Sequence, residues 1–316
     1  MRIKWGDLPG HVQRAVESIL GDTVVDAVSQ AGGFSPGTAD RVRTVHGRRA
    51  FVKAVSPAQN AHTPDMHRRE ACVTAEMPHW APVPRLLGCH DDGTWVALVL
   101  QDIEGRHPTT PWRTDELRRV LTVLDEFAAK STPSPLSDAA AAKDTLARNF
   151  GGWRRIAIDP PPDLSAWTER HLDELCSLAD RAVAVLAGDT LVHTDLRADN
   201  ILLGTDDTVT VVDWPAACRG PSWLDTVLLL ANVQLHGGHD TRRLLTQRAI
   251  AHGADRDDLL TVLIALAGYF ADYARRPAPP GLPTLRAFQR VQADALLSWF
   301  QEEWADGGRP TGDRTL

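Results

Sequence analysis

The stretch that decides the fold is Leu191-Val-His-Thr-Asp-Leu-Arg-Ala-Asp-Asn-Ile-Leu-Leu203, in which two apolar runs flank a polar centre. The polar centre has the pattern H-x-D-x-x-x-x-N, formed by His193, Asp195 and Asn200. With 12 His, 31 Asp and 4 Asn in 316 residues, chance would produce this pattern roughly 0.015 times. The flanking runs predict short strands, so the polar side chains would lie on the loop between them. The alternative is a plain strand–loop–strand in which Asp and Asn only cap turns.

A second carboxylate, Asp213, follows another apolar run that predicts a strand over residues 209–212. It lies 18 residues after Asp195 in the chain. The carboxylates of Asp195 and Asp213 and the amide of Asn200 are the groups that phosphoryl transfer from a nucleotide requires. One carboxylate accepts or orients a hydroxyl proton, while the other, with the amide oxygen, holds Mg²⁺ on the phosphates of a nucleotide.

A single lysine interrupts the apolar run Ala50-Phe-Val-Lys-Ala-Val55, which predicts a strand. Lysine is scarce here, with 4 against 30 arginines, and a charged group inside an apolar strand needs a partner. Glu70 lies 17 residues after Lys53, in a helix predicted over residues 65–76, and Glu76 in the same helix is its rival. The alternative is that Lys53 stands at a strand edge and points to solvent.

The order of predicted elements divides the chain into two lobes. Residues 1–100 are predicted to be a small β-rich lobe, 101–107 a hinge, and 108–316 a larger, mainly helical lobe that contains residues 190–200 and Asp213. This is a two-lobe α+β fold, with a cleft expected between the lobes. Strands are predicted over residues 24–30, 41–45, 50–55, 95–100, 190–193, 201–203 and 209–212. Helices are predicted over residues 114–130, 168–186, 223–235, 241–252, 259–275 and 285–304.

Composition excludes several classes of protein. The net charge of −7 argues against a nucleic-acid partner, because nucleic-acid binders usually carry a basic excess. No apolar run reaches membrane-spanning length, and the N-terminus has no apolar segment typical of a secretory signal. The four cysteines are scattered without metal-binding spacing, which favours a reduced, cytoplasmic protein.

The stretch around His193 and Asp195, together with Lys53 and Asp213, resembles the aminoglycoside phosphotransferase family, within the protein-kinase-like fold. The resemblance extends from about residue 24 to about residue 300 and is strongest over residues 190–225. It implies that Asp195 is the catalytic base and that His193 is structural, holding the catalytic loop. It also implies that Asn200 and Asp213 bind Mg²⁺.

The same resemblance implies nucleotide-binding roles in the N-terminal lobe. Lys53 would contact the α- and β-phosphates of ATP or GTP and pair with Glu70. The turn-rich segment Gly32-Gly-Phe-Ser-Pro-Gly-Thr38, with Gly33, Ser35 and Gly37, would cover the phosphates, although such a segment is also typical of a plain hairpin turn. Adenine would hydrogen-bond to the backbone between Gln101 and Ile103.

The sequence departs from protein kinases directly after Asp213. Asp225 follows after only 12 positions, which leaves no room for a peptide-docking activation segment and favours a small-molecule acceptor. Asp225 is interpreted as a structural brace of this loop. Pro215 replaces the glycine usual in the family. Arg197 would either steady the transferring phosphoryl group or pair with Asp199 or another nearby carboxylate.

The acceptor site is the least defined part of the sequence. Acidic candidates for an aminoglycoside acceptor are Asp272, Glu302 and Glu303, although exposed glutamates are more often solvated surface. Trp112 is a candidate wall for a ring, with core packing as the alternative. Because no dense acidic cluster is present, a less charged natural product fits about as well.

These observations predict a kinase that moves the γ-phosphoryl group of ATP or GTP, with Mg²⁺, to a hydroxyl of a small molecule. The arginine and alanine bias is typical of a high-GC bacterial genome, and with the family resemblance it favours an antibiotic acceptor and a role in resistance or self-resistance. One alternative is a metabolic kinase for homoserine, choline or a sugar. Another is a non-catalytic, kinase-like nucleotide-binding protein. The sequence leaves the oligomeric state open.

Overall fold

The computed structural model describes residues 3–30, 36–279, 281–308 and 310 of the chain. Ten α-helices lie in these ranges: α1 (Gly10–Leu20), α2 (Thr63–Glu76), α3 (Thr114–Lys130), α4 (Ala142–Phe150), α5 (Gly152–Ile158), α6 (Ala166–Ala184), α7 (Leu224–His236), α8 (Thr241–His252), α9 (Arg256–Ala274) and α10 (Leu285–Ala305). Nine strands accompany them there: β1 (Val24–Ser29), β2 (Thr38–Thr44), β3 (Arg49–Val55), β4 (Leu86–Asp91), β5 (Val96–Gln101), β6 (Thr190–Val192), β7 (Ile201–Leu203), β8 (Val209–Val211) and β9 (Cys218–Gly220). None of the described helices has the length and apolar character needed to cross a membrane.

The chain forms two compact units. The first contains Met1–Pro108, Asp199–Ala217 and Pro279–Pro283, and the second contains Thr109–Ala198, Cys218–Ala278 and Thr284–Leu316. One unit is built on a β-sheet and the other is mainly helical, so the predicted α+β class is confirmed.

The first unit is organised by a five-stranded antiparallel sheet in the order β1-β2-β3-β5-β4. Alternate residues of a strand point to opposite faces, so each face of the sheet packs on a different helix. One face packs on α1 through Val42, Val52 and Val99. The other face contains Leu98 and packs on α2 through Ala71. Lys53 is paired with Leu98 across β3 and β5, so its side chain lies on the α2 face.

The hairpin of β7 and β8 also belongs to the first unit, although the sequence analysis assigned these residues to the helical lobe. The reason is its backbone pairing. Arg106 exchanges two hydrogen bonds with Leu203, and Val211 donates to the carbonyl of Pro82. Gly105 allows this approach, because a Cβ there would lie 2.9 Å from the carbonyl oxygen of Leu203.

The second unit has its core around α9, which is buried along most of its length. Helix α5 crosses α9 where two glycines meet, and a Cβ on Gly152 would lie 2.1 Å from the carbonyl oxygen of Gly268. Trp153, the next residue, is fully buried and donates its indole N–H to Ile264. Strands β6 and β9 pair beside this core and fix both ends of the segment that carries Asp195 and Asp213.

Five elements, α1, α4, α5, β4 and β9, were not predicted from the sequence. Helix α1 was missed because the first hundred residues were interpreted as mostly β, although Val12, Val16 and Leu20 repeat at a spacing of four and pack on the sheet. Helices α4 and α5 fall between two proline-rich connections, in a stretch for which no element was predicted. Strand β4 was also missed, because its exposed and half-buried residues include no fully buried apolar run.

Candidate active site

A buried ammonium group with two carboxylate partners lies in the first unit. The Nζ atom of Lys53 is 2.7 Å and 2.9 Å from the two carboxylate oxygens of Glu70, and 2.9 Å from Oδ1 of Asp213. Only 13% of the lysine side chain and 3% of the Glu70 side chain are exposed, whereas 40% of the Asp213 side chain is exposed. The lysine therefore bridges a fully buried carboxylate on α2 and an accessible one after β8.

The environment keeps Lys53 protonated. Burial lowers the pKa of its ammonium, but the charges and hydrogen bonds of Asp213 and Glu70 outweigh burial and raise it well above the usual value. Burial also raises the pKa of Glu70, an effect that the Lys53 charge opposes. One ammonium is thus shared by two carboxylates, and the accessible one, Asp213, is the partner that a cation from solvent can reach.

The open end of the β7–β8 hairpin positions Asn200 and Asp213. Val212 donates its backbone N–H to the carbonyl of Asn200 at 2.9 Å, which is the last hydrogen bond of the hairpin. Asn200 and Asp213 therefore lie next to each other at this open end. Asp213 has a φ of 71°, a left-handed conformation that costs a non-glycine residue energy and is typical of functional sites. Trp214 anchors the turn, because its buried indole donates to Val211 at 2.8 Å and its backbone N–H bonds to Glu70.

His67 lies one helical turn before Glu70 on α2 and was not identified from the sequence. It is 3% exposed, and its Nδ1 atom is buried without a hydrogen-bond partner. Burial, together with the charge of Lys53, lowers the pKa of His67 to about 3, and the charge of Asp213 opposes this shift. The imidazole is therefore neutral at physiological pH and packs beside the Lys53 ammonium without competing for its carboxylates.

The depressed pKa of His67 predicts acid sensitivity of the metal-free, nucleotide-free protein. An unfolded chain protonates this histidine below about pH 6.5, whereas the folded chain does so only near pH 3, so stability is lost as the pH falls through that interval. Between about pH 7.5 and pH 5 this residue alone should remove about 2 kcal/mol. Urea unfolding of wild type and His67→Gln at both pH values should show a smaller acid loss in the variant. His62→Gln, on an exposed residue before α2, is the control, and equal acid loss in all three proteins would contradict the assignment.

Residues 193–197, part of the predicted catalytic loop, lie in the second unit and are held by Asp225. The Asp225 carboxylate accepts the backbone N–H groups of His193 at 2.7 Å and Thr194 at 2.9 Å. Thr194 has a φ of 68°, a strained conformation that these two hydrogen bonds maintain. The buried imidazole of His193 accepts the backbone N–H of Asp195 at its Nδ1. Burial raises the pKa of Asp225, and the His193 charge and the two N–H donors oppose that shift.

Asp195 presents its carboxylate beside a guanidinium. Nη1 of Arg197 lies 2.8 Å and 3.0 Å from the two carboxylate oxygens. The Asp195 side chain is 46% exposed and that of Arg197 only 16%. The structure contains an ion pair between Arg197 and Asp195, and whether Arg197 also steadies the phosphoryl group stays a prediction. The loop therefore offers an accessible carboxylate. The backbone of Asp195 is held by His193, and its carboxylate is oriented by Arg197.

Trp112 has a structural position. It is 4% exposed, and its indole N–H donates to Oδ1 of Asn232, which also accepts the backbone N–H of Ala198 directly after the catalytic loop. A ring buried to this extent has no open face for an acceptor, so Trp112 does not fit the predicted role of a wall for a bound ring. Asn232 was not identified from the sequence, although it is one of only four asparagines.

The acidic candidates for acceptor binding are not available as open carboxylates. Asp272 is fully buried and bound by Arg155 at 2.7 Å, by Arg275 at 2.9 Å and by Arg276. Glu303 is also fully buried and bound by Arg256, Arg242 and the indole of Trp299. Of the three, Glu302 alone is exposed on the surface of α10. Asp272 and Glu303 therefore do not fit direct contact with a cationic acceptor.

The remaining nucleotide-site candidates fall into two groups. Gly33 and Ser35 lie outside the described residues. Gly37 has a φ of 103°, and a Cβ there would lie 2.4 Å from the carbonyl oxygen of Ala54, so the chain requires glycine at this point. In the predicted hinge, Gln101 donates its N–H to the carbonyl of Arg85, and the carbonyl of Ile103 accepts from Arg41. Adenine binding by this segment stays a prediction.

Comparison with known proteins identifies the family. Residues 31–260 match the sequence profile of the phosphotransferase enzyme family designated APH, which is well over half of the chain. The chain belongs to this phosphotransferase family. The resemblance predicted from the residues around Asp195 is thereby confirmed. The chain is a phosphotransferase that acts on a hydroxyl group of a small molecule. Direct comparison with curated protein sequences found no match.

Solved structures place this phosphotransferase in the protein-kinase-like fold. A thermostable mutant of aminoglycoside phosphotransferase APH(4)-Ia, in ternary complex with ADP and hygromycin B, is 17% identical with a TM-score of 0.60 over 91% of this chain and 98% of that chain. The choline kinase LicA from Streptococcus pneumoniae is 13% identical with a TM-score of 0.58 over 91% and 98%. An amicoumacin kinase is 13% identical with a TM-score of 0.55 over 85% and 88%. At these identities the similarity establishes the fold, and the predicted kinase-like architecture is confirmed.

Proposed function

We propose that this phosphotransferase moves the γ-phosphoryl group of ATP or GTP to a hydroxyl of an antibiotic, in the cytoplasm, and so confers resistance or self-resistance. The observation that carries the proposal is the Asp195 carboxylate, which is accessible on a strained loop held by Asp225. A rigidly held, accessible carboxylate suits the orientation of a hydroxyl nucleophile.

The lysine site supports a nucleotide as co-substrate. Lys53 is a compact charge with two carboxylate partners, and a lysine in this arrangement contacts nucleotide phosphates in kinases. Its bond to the exposed Asp213 can be exchanged for phosphate, while Glu70 keeps the ammonium in place. The structures of relatives in complex with ADP or AMP-PNP and an antibiotic support the same proposal.

The residues present fit a magnesium ion. Asn200 and Asp213 supply an amide oxygen and a partly exposed carboxylate beside one rung of the hairpin, and Mg²⁺ prefers oxygen ligands, taking one or two from protein and the rest from phosphates and water. Asn200 and Asp213 would hold the ion. When bound, the ion supplies neutralisation of the charge on the phosphates.

The transfer step follows from the roles of the chain's own residues. Asp195 orients the acceptor hydroxyl and takes its proton. The acceptor oxygen forms a bond to the γ-phosphorus, the bond from that phosphorus to the bridging oxygen breaks, and the nucleoside diphosphate leaves with those electrons. Lys53 holds the phosphates that leave, and Arg197 is within reach of the carboxylate that takes the proton.

The antibiotic acceptor rests on the relatives and on the short segment between Asp213 and Asp225. Two solved neighbours act on or bind antibiotics by name, hygromycin B and amicoumacin, and the segment leaves no room for peptide docking. A choline kinase is equally similar in fold, so a metabolic kinase is the competing function. The decisive difference is the acceptor that becomes phosphorylated.

The test is a panel of antibiotics from several chemical classes, incubated with the protein, Mg²⁺ and either ATP or GTP. The expected result is a mass increase of one phosphoryl group on at least one antibiotic, matched by release of nucleoside diphosphate. Homoserine, choline and simple sugars belong in the same panel. Phosphorylation of one of these and of no antibiotic would support the metabolic kinase, and nucleotide binding without any transfer would support a binding protein.

A further inference from the structure

The side chains around Asp195 in the second unit are mainly aromatic rings and arginines. We call them the aromatic–arginine cluster: Tyr269 and Tyr273 on α9, Phe288 and Arg286 on α10, Arg276 after α9, and Arg197 on the catalytic loop. Each of the six is partly exposed, so the cluster forms a surface next to the carboxylate that orients the nucleophile.

The members of the cluster contact one another through ring–ring and guanidinium–ring contacts. The rings of Tyr269 and Tyr273 have centroids 4.7 Å apart. The guanidinium of Arg276 lies 4.2 Å from the centre of the Tyr273 ring, and that of Arg286 lies 5.5 Å from the same ring. Arg197 lies 5.6 Å from the centre of the Phe288 ring. Flat guanidinium groups and flat rings therefore share one surface.

Tyr269 connects this surface to Asp195. Burial and then the charge of Asp195 raise the pKa of Tyr269 to about 12, while Arg286 and Arg197 oppose the shift. The phenol is therefore neutral at physiological pH. Tyr269 lies within electrostatic range of the catalytic carboxylate and of two cluster arginines, so these groups share one neighbourhood.

The neighbourhood carries an excess of positive charge, although the whole chain has a net charge of −7. The buried Asp272 is shared among Arg155, Arg275 and Arg276. Arg275 also pairs with Asp159, and Arg197 engages Asp195, so five arginines including Arg286 face three carboxylates. Arg286 donates to two neutral oxygens, the carbonyl of Pro277 at 3.0 Å and Oε1 of Gln289 at 2.8 Å. Within the part of the chain that the structure describes, Arg286 has no carboxylate partner.

This chemistry selects against a polycation and for an oxyanion. An arginine without a carboxylate partner offers planar N–H donors that match a carboxylate or a phosphate. A polycationic aminoglycoside would bring further positive charge to this surface, and like charges at an interface are costly. The tyrosine and phenylalanine rings offer stacking area to a planar group.

We infer that the acceptor of this phosphotransferase carries a planar ring and an oxyanion, a carboxylate or a phosphate, and that Arg286 binds the oxyanion while the rings of the cluster bind the planar group. The inference rests on the proposed function and specifies its acceptor class. Arg286 is then a specificity-determining residue, and the acceptor is anionic at the end that faces α10.

Four aryl β-glucosides provide the test, with 4-carboxyphenyl, 4-phosphonophenyl, 4-carbamoylphenyl and 4-(trimethylammonio)phenyl groups. Each has a ring and hydroxyls, and the para substituent changes the charge from anionic through neutral to cationic. Dissociation constants are measured by calorimetry on the full chain with Mg²⁺ and AMP-PNP, and turnover with ATP is measured separately. The anionic pair should bind about 10- to 100-fold more tightly than the carbamoyl compound, and the cation should bind most weakly. The better of the two anions identifies the oxyanion.

Variants of two arginines on α10 test whether Arg286 causes the preference for the anionic glucosides. Arg286→Gln should lower the preference for the anionic over the carbamoyl compound to near parity, and Arg286→Lys should retain part of it because the charge remains. Arg290→Gln is the matched control, since Arg290 lies on the same helix and pairs with Asp163 at 3.5 Å. The control should keep the wild-type preference. If Arg286→Gln fails to fold, the wild-type preference and Arg286→Lys still decide the outcome.

The outcomes separate this inference from the proposed function. Equal or weaker binding of the anionic pair, or no binding of it at all, overturns the inference even if antibiotics are phosphorylated. An unchanged preference in folded Arg286→Gln overturns the role of Arg286. Anionic glucosides that bind preferentially, while no antibiotic accepts phosphate, support the inference and overturn the antibiotic assignment.

Discussion

Replacing Asp195 by asparagine should lower kcat by about 10²- to 10⁴-fold, the usual contribution of a positioned general base. Asparagine has the shape of aspartate and still offers an oxygen to Arg197, but it cannot take the proton of the acceptor hydroxyl. The acceptor identified in the antibiotic panel serves as substrate, and release of nucleoside diphosphate is measured at saturating nucleotide.

The fold should survive this substitution. The Asp195 side chain is 46% exposed, and the loop around it is held by the bonds from His193 and Thr194 to Asp225. Nucleotide affinity, measured by calorimetry, should also stay near wild type, because Lys53 and Glu70 are untouched. A loss of kcat with retained nucleotide binding and retained melting temperature is therefore the specific signature of this residue.

Asp189→Asn is the matched control. Asp189 lies one residue before β6, is 72% exposed, and forms a loose ion pair with Arg219 at 3.6 Å. Its substitution removes an equal charge from the same part of the chain, so kcat should remain within about twofold of wild type because exposed ion pairs contribute little. Turnover by Asp195→Asn equal to that of this control would contradict the catalytic role of Asp195.

How much of the fold follows from the sequence depends on where the apolar contacts of an element lie. Helix α3 was predicted with its observed bounds, because Leu117, Val120, Leu124 and Phe127 form one buried stripe. Helices α4 and α5 were missed because they are short and are separated only by Gly151. Helix α5 is stabilised by its close crossing with α9, and no pattern in the neighbouring sequence predicts that contact.

The candidate site shows the same distinction between local and long-range information. Lys53 is conspicuous because a charge in an apolar strand needs a partner, and the structure contains the ion pair with Glu70 at 2.7 Å. His67 has no such signal, because its neutral state follows from its burial in the folded protein. No sequence pattern specifies that depth of burial.

Among the acidic candidates for the acceptor site, one could have been interpreted from nearby residues and another only from long-range contacts. Arg275 and Arg276 follow Asp272 at the third and fourth positions, a helical spacing that predicts ion pairs and was overlooked. The partners of Glu303, Arg256 and Arg242, lie on other helices, so its burial could not be predicted from the neighbouring sequence. The sequence therefore overstated the negative charge available to an acceptor, and the aromatic–arginine cluster emerges only from the packing of α9 and α10.

Asp213→Asn should lower kcat/KM with Mg-ATP by roughly 10³-fold, which corresponds to several kcal/mol of lost charge stabilisation. The amide keeps an oxygen but removes the formal charge of the proposed magnesium ligand. The concentration of Mg²⁺ needed for half-maximal turnover should rise, and this shift separates a ligand role from general damage to the site.

Asp213→Asn is expected to keep the stability of the wild type, so a change in its Mg²⁺ dependence would not result from unfolding. Lys53 keeps its two bonds to the buried Glu70, and the lost partner is the more exposed of the two carboxylates. Asp206→Asn, in the turn of the same hairpin, is the control, since asparagine can replace its bonds to Thr208 and Mg²⁺ dependence should not change. If Asp213→Asn needed no more Mg²⁺ than this control, Asp213 would not be a ligand. Its bond to Lys53 would then be a structural contact, and the metal would have to be held by other oxygens.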